Sequence, residues 1–373
     1  MKIQRHGAVL GLIAAGALML TACGSDNNAP AGAATDTGAA AAVPVECGGK
    51  TKLNAEGSSA QKTAIESFVQ AYQQKCAGAD LAYNASGSGA GVKQFTAGQV
   101  DFGGSDSPLN AEKGEVAAAA TRCKENPAWN LPLVFGPVAI GYKLNGVTDL
   151  TVTAEVAAKI FNGTVKKWND PAIKALNSSA TLPDKDITVV YRSDESGTTD
   201  NFQKYLKAAS KGAWTQGDGK QFKGGLGEGK EKSAGVAQAV GSVDGAVTYV
   251  EWSFAQDNKL SIAKIDNGGG AVELTNETVG KAIDGAKLKG AGNDLVLDLN
   301  SIYASTTAGA YPLILATYEI VCSKGYDADT AKAVKAFLTV AATTGQEGLS
   351  EVGYAPLPKA FQDKLLTAIK AIA

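Results

Sequence analysis

The chain has 373 residues, 45% of them hydrophobic, and sets 35 Lys and Arg against 37 Asp and Glu for a formal net charge of -2. A mildly acidic balance argues against nucleic acid as a partner, because phosphate backbones are bound through clustered cations. It also requires any anion site to work by local dipoles and hydrogen bonds rather than by a broad positive field.

The N-terminus opens with the cationic "MKIQRH" and continues into "GAVLGLIAAGALML", an apolar run too short for a comfortable bilayer span. Residues 1–22 therefore read as a signal peptide. The tetrapeptide Leu20-Thr21-Ala22-Cys23 resembles the bacterial lipobox, in which the cysteine is acylated and becomes the first residue of the mature chain. The expectation is an exported protein held to the cell membrane by lipid (palmitate) on Cys23, facing outward. Removing Lys2 and Arg5 with the leader takes the balance to 33 against 37, or -4. Residues 23–45, chiefly "SDNNAPAGAATDTGAAAAVPV", carry almost no large apolar side chain and cannot offset their ordering entropy, so they read as a disordered tether. The remainder is long enough for two domains.

Strands and helices then alternate. "TKLNAEG" reads as a strand, and "AQKTAIESFVQAY" places Ala64, Ile65, Phe68, Val69 and Tyr72 at helical spacing. "LAYNA" sets Leu81, Tyr83 and Ala85 on one face with period two. It ends at the glycine-rich "SGSGAG", read as a loop whose Gly87, Gly89 and Gly91 let the backbone approach an anion, with Val92 to Phe95 starting the helix behind it. "QVDFGGSDSPL" is a strand ending in a polar turn. Ile187 to Tyr191 repeat the design, followed by the turn "RSDESGTT" and a helix with Phe202, Tyr205 and Leu206 on one face. The fold class is α/β. "GGLGEGK", residues 224–230, lacks the Ser or Thr of a phosphate loop, having Glu231 there, and reads as a flexible surface loop. Trp129, Trp168 and the "NDP" at 169–171 read as core and turn.

Four cysteines remain after Cys23, and three connectivities are open to them. Cys47 with Cys76 is favoured because they bracket one strand-helix unit, and Cys123 with Cys322 then follows. A zinc site is disfavoured by the absence of a CxxC pair. The only histidine, His6, is lost with the leader, so the mature chain holds no Ser-His-Asp triad and lacks the commonest nitrogen ligand for metal-dependent hydrolysis. The reading is a binding protein rather than an enzyme, with no catalytic residue and no metal.

In open α/β sheets ligands bind beyond the carboxyl ends of strands, and three polar turns lie there: "EGSSAQ", the glycine-rich stretch with "GGSDS", and "RSDESGT". Serine hydroxyls and helix-start N–H groups suit a tetrahedral oxyanion, and an arginine grips two of its oxygens. An aspartate among such donors selects an anion that still carries a proton, since a fully ionised one leaves it unpaired.

The stretches "SGSGAGVKQF", "VDFGGSDSPL", "IFNGTVKKWNDPAI", "VVYRSDESGTTDNFQKYL", "YPLILATYEIV" and "GYAPLP" resemble the extracytoplasmic phosphate-binding lipoproteins of Pst-type phosphate ABC importers, specifically the actinobacterial form. The resemblance runs from about Lys52 to the C-terminus. It implies a two-lobed periplasmic-binding-protein-like fold of type II, with phosphate in the interlobe cleft and two crossover segments, near 131–139 and 302–312. Lobe I would comprise residues 46–131 and 312–373, and lobe II residues 132–311. The family's site falls on Ser59, Ala60, Ser88, Asp106, Arg192, Ser196, Gly197 and Thr198. Ser59, Ser88, Ser196 and Thr198 are hydroxyl donors, Ala60, Gly197 and Thr198 backbone donors, Arg192 the bidentate cation and Asp106 the acceptor that reads the proton. Asp194 orients Arg192. Many relatives have Thr then Phe where this chain has Ser59 then Ala60, so the aromatic wall is missing. The implied partners are inorganic phosphate and the importer's membrane subunits, with no cofactor and a monomeric chain. Another oxyanion, such as sulfate or molybdate, is the alternative ligand. Without the resemblance, Ser59 reads as a helix N-cap, Asp106 as an Asx-turn residue and Arg192 with Asp194 as a surface ion pair.

Overall fold

The computed structural model describes residues 43–373; the leader, Cys23 and most of the tether lie outside the described residues. The chain enters through β1 (Lys52–Gly57), α1 (Lys62–Lys75), β2 (Asp80–Asn84), α2 (Ser88–Thr96) and β3 (Phe102–Ser105). β1 pairs in parallel with both β2 and β3, the arrangement that crossover helices impose. α1 buries Ala64, Ile65, Phe68 and Tyr72, the face its spacing marks out, with Val69 half-buried at its margin.

Next come α3 (Glu115–Arg122), the 16-residue β4 (Ala128–Lys143), β5 (Thr151–Thr153), α4 (Ala154–Phe161) and α5 (Pro171–Lys174). The second strand-helix run is β6 (Thr188–Arg192), α6 (Gly197–Ala209), β7 (Glu228–Lys230), α7 (Lys232–Ser242), β8 (Ala246–Glu251) and α8 (Trp252–Asp257). Short pieces follow as β9 (Ser261–Ile262), β10 (Lys264–Asp266), β11 (Ala271–Val272), α9 (Asn276–Asp284), β12 (Lys287–Leu288), β13 (Leu297–Asp298) and α10 (Asn300–Tyr303). The chain ends with β14 (Ile314–Cys322), α11 (Ala328–Ala342) and α12 (Lys359–Lys370).

The main sheet runs β2-β1-β3-β14-β4-β8-β6-β7, with β9 added on β4. β4 belongs to both halves of the molecule. From Ala128 to Pro137 it pairs with β14, and from Val138 to Lys143 it pairs with β8. Pro137 stands at the changeover and Pro132 at a register shift opposite Thr317 and Tyr318, places where a missing backbone donor disrupts least. The C-terminal helices return to the first half: Phe337 of α11 packs on Tyr72 and Phe102, each with ring centroids 5.5 Å apart. Both expected disulfides are present, Cys47–Cys76 and Cys123–Cys322, with Cα separations of 5.4 and 5.3 Å.

Two segments differ from the sequence reading. α2 begins at Ser88, so the glycine-rich stretch is the helix's first turn rather than a loop ahead of it. "GGLGEGK" is not wholly a loop either, because Glu228–Lys230 form the edge strand β7, parallel to β6. Trp168 is fully buried, its Nε1 donating to the Gly245 carbonyl at 3.0 Å, and Asp170 caps α5 through the Ala172 N–H at 2.8 Å. Trp129 is half-buried against the core.

Candidate functional site

The turns after β1, β3 and β6 start α1, lead away from the sheet, and start α6, and Ser58, Ser59, Asp106, Ser107 and Ser196 on them are buried. Three groups of contacts form there. In the first, the Ser88 hydroxyl donates to Asp106 Oδ2 at 3.0 Å and accepts from the Asp106 N–H at 3.1 Å, while Thr317 of β14 donates to Asp106 Oδ1 at 2.7 Å. Gly197 closes over this pair. A Cβ on it would lie 2.5 Å from Asp106 Cβ and 2.6 Å from Ser88 Oγ, so no side chain fits. Burial pushes the Asp106 carboxyl up to about 6, and the hydroxyls bonded to it restrain the rise.

In the second group, Arg192 donates from Nε and Nη2 to Asp194 at 2.7 and 2.5 Å, and from Nη1 to Ser233 Oγ at 3.1 Å. Of the five N–H donors of a guanidinium, one on each terminal nitrogen is then left for a ligand. Burial opposes the Arg192 charge, but Asp194 outweighs it and holds the cation; burial pushes Asp194 up, and Arg192 together with the Lys232 N–H holds it below the usual range. Ser233 also reaches Ser59, with 2.9 Å between the hydroxyls and 3.2 Å from the Ser233 N–H to Ser59 Oγ. Ala60 is fully buried. Its N–H donates to Ser58 Oγ at 3.0 Å and its carbonyl accepts from the Tyr354 hydroxyl at 2.7 Å.

The third group lies at the start of α6. Ser196 caps the helix, accepting from the Thr199 N–H at 3.2 Å, and the Thr198 hydroxyl donates to Glu251 Oε1 at the end of β8. The charge of Glu251 acts on both Arg192 and Asp106, which ties the three groups electrostatically.

Every residue singled out in the sequence is thus buried in or beside this region, and Asp194 lies against Arg192 as expected. The glycines of α2 have a different role from the one expected. A Cβ on Gly91 would meet Gly57 Cα and Gly104 O at 2.6 Å, and one on Gly89 would meet Glu195 Cβ at 2.4 Å, so they serve close packing of helix on sheet and loop. Four residues were missed: Ser233, Glu251, Thr317 and Glu319. Thr317 and Glu319 carried a signal, being two polar residues at period two in the otherwise apolar strand "ILATYEIVC". A hollow of about 320 Å³ at the rim is lined by Gly89, Lys93, Glu115, Glu195 and Lys220. The larger one, about 620 Å³ between Gly146–Thr151 and Leu176–Thr181, contains none of the site residues.

A helix-flanked sheet, one strand shared by two halves and a buried arginine-aspartate-serine cluster between helix starts define a solute-binding protein of the periplasmic type. Comparison with known proteins agrees, since residues 29–343 match the model described as the PBP superfamily domain. Phosphate-binding protein PstS 3 of Mycobacterium tuberculosis is 53% identical over 375 residues, covering 100% of both chains. Among solved structures, a high affinity periplasmic phosphate-binding protein, PfluDING, bound with phosphate has a TM-score of 0.66 at 23% identity, covering 85% of this chain and 93% of that one. A putative phosphate ABC transporter substrate-binding protein with bound phosphate from Clostridium perfringens has a TM-score of 0.58 at 20% identity, covering 82% and 100%. The chain belongs to the PBP superfamily and, within it, to the PstS family of phosphate-binding proteins.

Proposed function

We propose that this protein captures inorganic phosphate outside the membrane and delivers it to the membrane subunits of an ABC importer. The observation that carries the reading is the pairing of a buried, proton-reading carboxylate, Asp106, with a buried guanidinium, Arg192, which Asp194 and Ser233 hold so that two N–H donors stay free. Ser59 and Ser196 bring hydroxyl donors to the anion, and Gly197 and Thr198 bring backbone N–H groups; Ser88 and Ala60 join them as donors only by releasing the Asp106 carboxylate and the Ser58 hydroxyl that they now bond. Phosphate near neutral pH carries a proton for Asp106; sulfate has none. The names of the full-length relatives support the same ligand.

No covalent chemistry is assigned to the chain, which acts as a monomer tethered through lipid on Cys23 at the extracytoplasmic face. Lobe I comprises residues 46–131 and 312–373, lobe II residues 132–311, and binding closes the hinge between them, the behaviour general to periplasmic binding proteins. The test is calorimetric titration of the purified protein with phosphate and with sulfate between pH 6 and 8. Phosphate is expected to bind far more tightly at every pH, and equal affinities would sink the assignment. Sulfate and molybdate, the alternative ligands, offer Asp106 no proton and are disfavoured on that ground.

A further inference from the structure

Glu251 is fully buried at the end of β8, and its Oε2 has no hydrogen-bond partner. Its Oε1 accepts the Thr198 hydroxyl proton. Among the described residues no ion pair reaches it: the guanidinium of Arg192 feels its charge but is paired bidentately with Asp194. The other groups that feel its charge are Asp106 and the Tyr354 hydroxyl, and that hydroxyl donates to the Ala60 carbonyl. The anion site therefore holds one guanidinium already matched by one carboxylate, and two further carboxylates with no counter-ion. Such an arrangement repels an oxyanion unless the oxyanion brings protons of its own.

A threonine hydroxyl has one proton and two acceptor lone pairs. With that proton committed to Glu251, the oxygen of Thr198 faces a ligand only as an acceptor. We infer that Glu251 is a specificity-determining positioning residue, which turns Thr198 from a donor into a second acceptor, beside Asp106, for an oxyanion that carries two protons, as dihydrogen phosphate does. This refines the sequence reading of Thr198 as a hydroxyl donor and leaves its backbone N–H in the donor role. The inference rests on the phosphate reading above. It adds that selection against fully ionised oxyanions is made at two places, Asp106 and Thr198.

Substituting Glu251→Gln puts an amide donor next to Thr198 Oγ1, which frees the hydroxyl proton to point at the ligand. Substituting Thr198→Val removes the hydroxyl and keeps the shape. The experiment is competition of sulfate against phosphate, at pH 6 where dihydrogen phosphate dominates, on the wild type, Glu251→Gln, Thr198→Val, Asp106→Asn and the Asp106→Asn/Glu251→Gln double variant. The Asp106→Asn background is included because sulfate is expected to compete measurably there.

Glu251→Gln is expected to narrow the phosphate-over-sulfate ratio by about tenfold, and to narrow it further in the Asp106→Asn background. Thr198→Val is expected to weaken phosphate by about tenfold while leaving sulfate nearly unchanged, because only phosphate donates to that oxygen. An unchanged ratio in Glu251→Gln, or equal losses for both anions in Thr198→Val, overturns the inference. If Glu251→Gln does not fold, Thr198→Val decides alone. A wild type that binds no phosphate refutes the proposed function instead, so the two failures are told apart.

Discussion

Glu319 is buried on β14, and burial, restrained by the neighbouring Gln61 amide and reinforced by the Asp106 charge, pushes it up to about 8. In the unfolded chain a glutamate titrates in the ordinary range, so between there and pH 8 the folded state keeps a proton that the unfolded state has lost. Stability is thus greatest at low pH and falls as pH rises toward 8, by at most about 1.4 kcal/mol per pH unit from this group. Asp106 acts in the same direction but only up to about 6. Urea unfolding of the ligand-free protein between pH 6 and 8 isolates Glu319: the wild type is expected to lose stability across that range, and Glu319→Gln to lose much less. Equal slopes refute the assignment. Asp106 and Arg192 were singled out through the family resemblance, since the residues alone read as an Asx-turn and a surface ion pair; the resemblance is visible there because the polar turns that end β3 and β6 have little packing work to do. Glu319 and Thr317 were passed over despite their period-two spacing, because the apolar run around them reads as an ordinary buried strand. Ser233 was hidden by its neighbours, since "GKEKS" looks like a solvated face.

At the scale of elements, the start of α7 is the piece that joins the two sides of the site. Ser233 touches Arg192 from β6 and Ser59 from the turn before α1, so a single hydroxyl holds a cation in place and reaches across to the facing turn. Ser233→Ala is expected to weaken phosphate binding by about tenfold with little change in the melting temperature of the ligand-free protein, read by calorimetry and thermal scanning. Unchanged affinity would show that Asp194 alone suffices to orient Arg192. The alternation of elements was legible because hydrophobic period switches cleanly between two and 3.6 along residues 52–105 and 187–206. What periodicity could not show is that β4 serves both halves, since one continuous apolar strand looks the same whether its neighbour changes along its length or not. The start of α2 was misplaced for a related reason. Glycines disfavour a helix by propensity, and only the closeness of β1, β3 and Glu195 explains why they stand inside one.

At the scale of the whole molecule, the halves meet at the site and at its rim. Gly89 donates to the Glu195 carbonyl at 2.9 Å, Lys93 pairs with Glu195 at 2.7 Å, and Lys220 pairs with Glu115 at 3.2 Å in a partly buried setting. X-ray scattering with and without phosphate is expected to show a smaller radius of gyration with the anion, and no shrinkage counts against hinge closure. β4 changes partner between Pro137 and Val138, and Val138 pairs with Glu251. Glu251 therefore stands where β4 passes from one half of the sheet to the other and holds Thr198, whereas Asp106 is held by Thr317 of β14. Under the proposed hinge closure, an unprotonated anion satisfies neither acceptor and gives the closed state nothing to hold, so a wrong anion leaves as quickly as an open mouth allows.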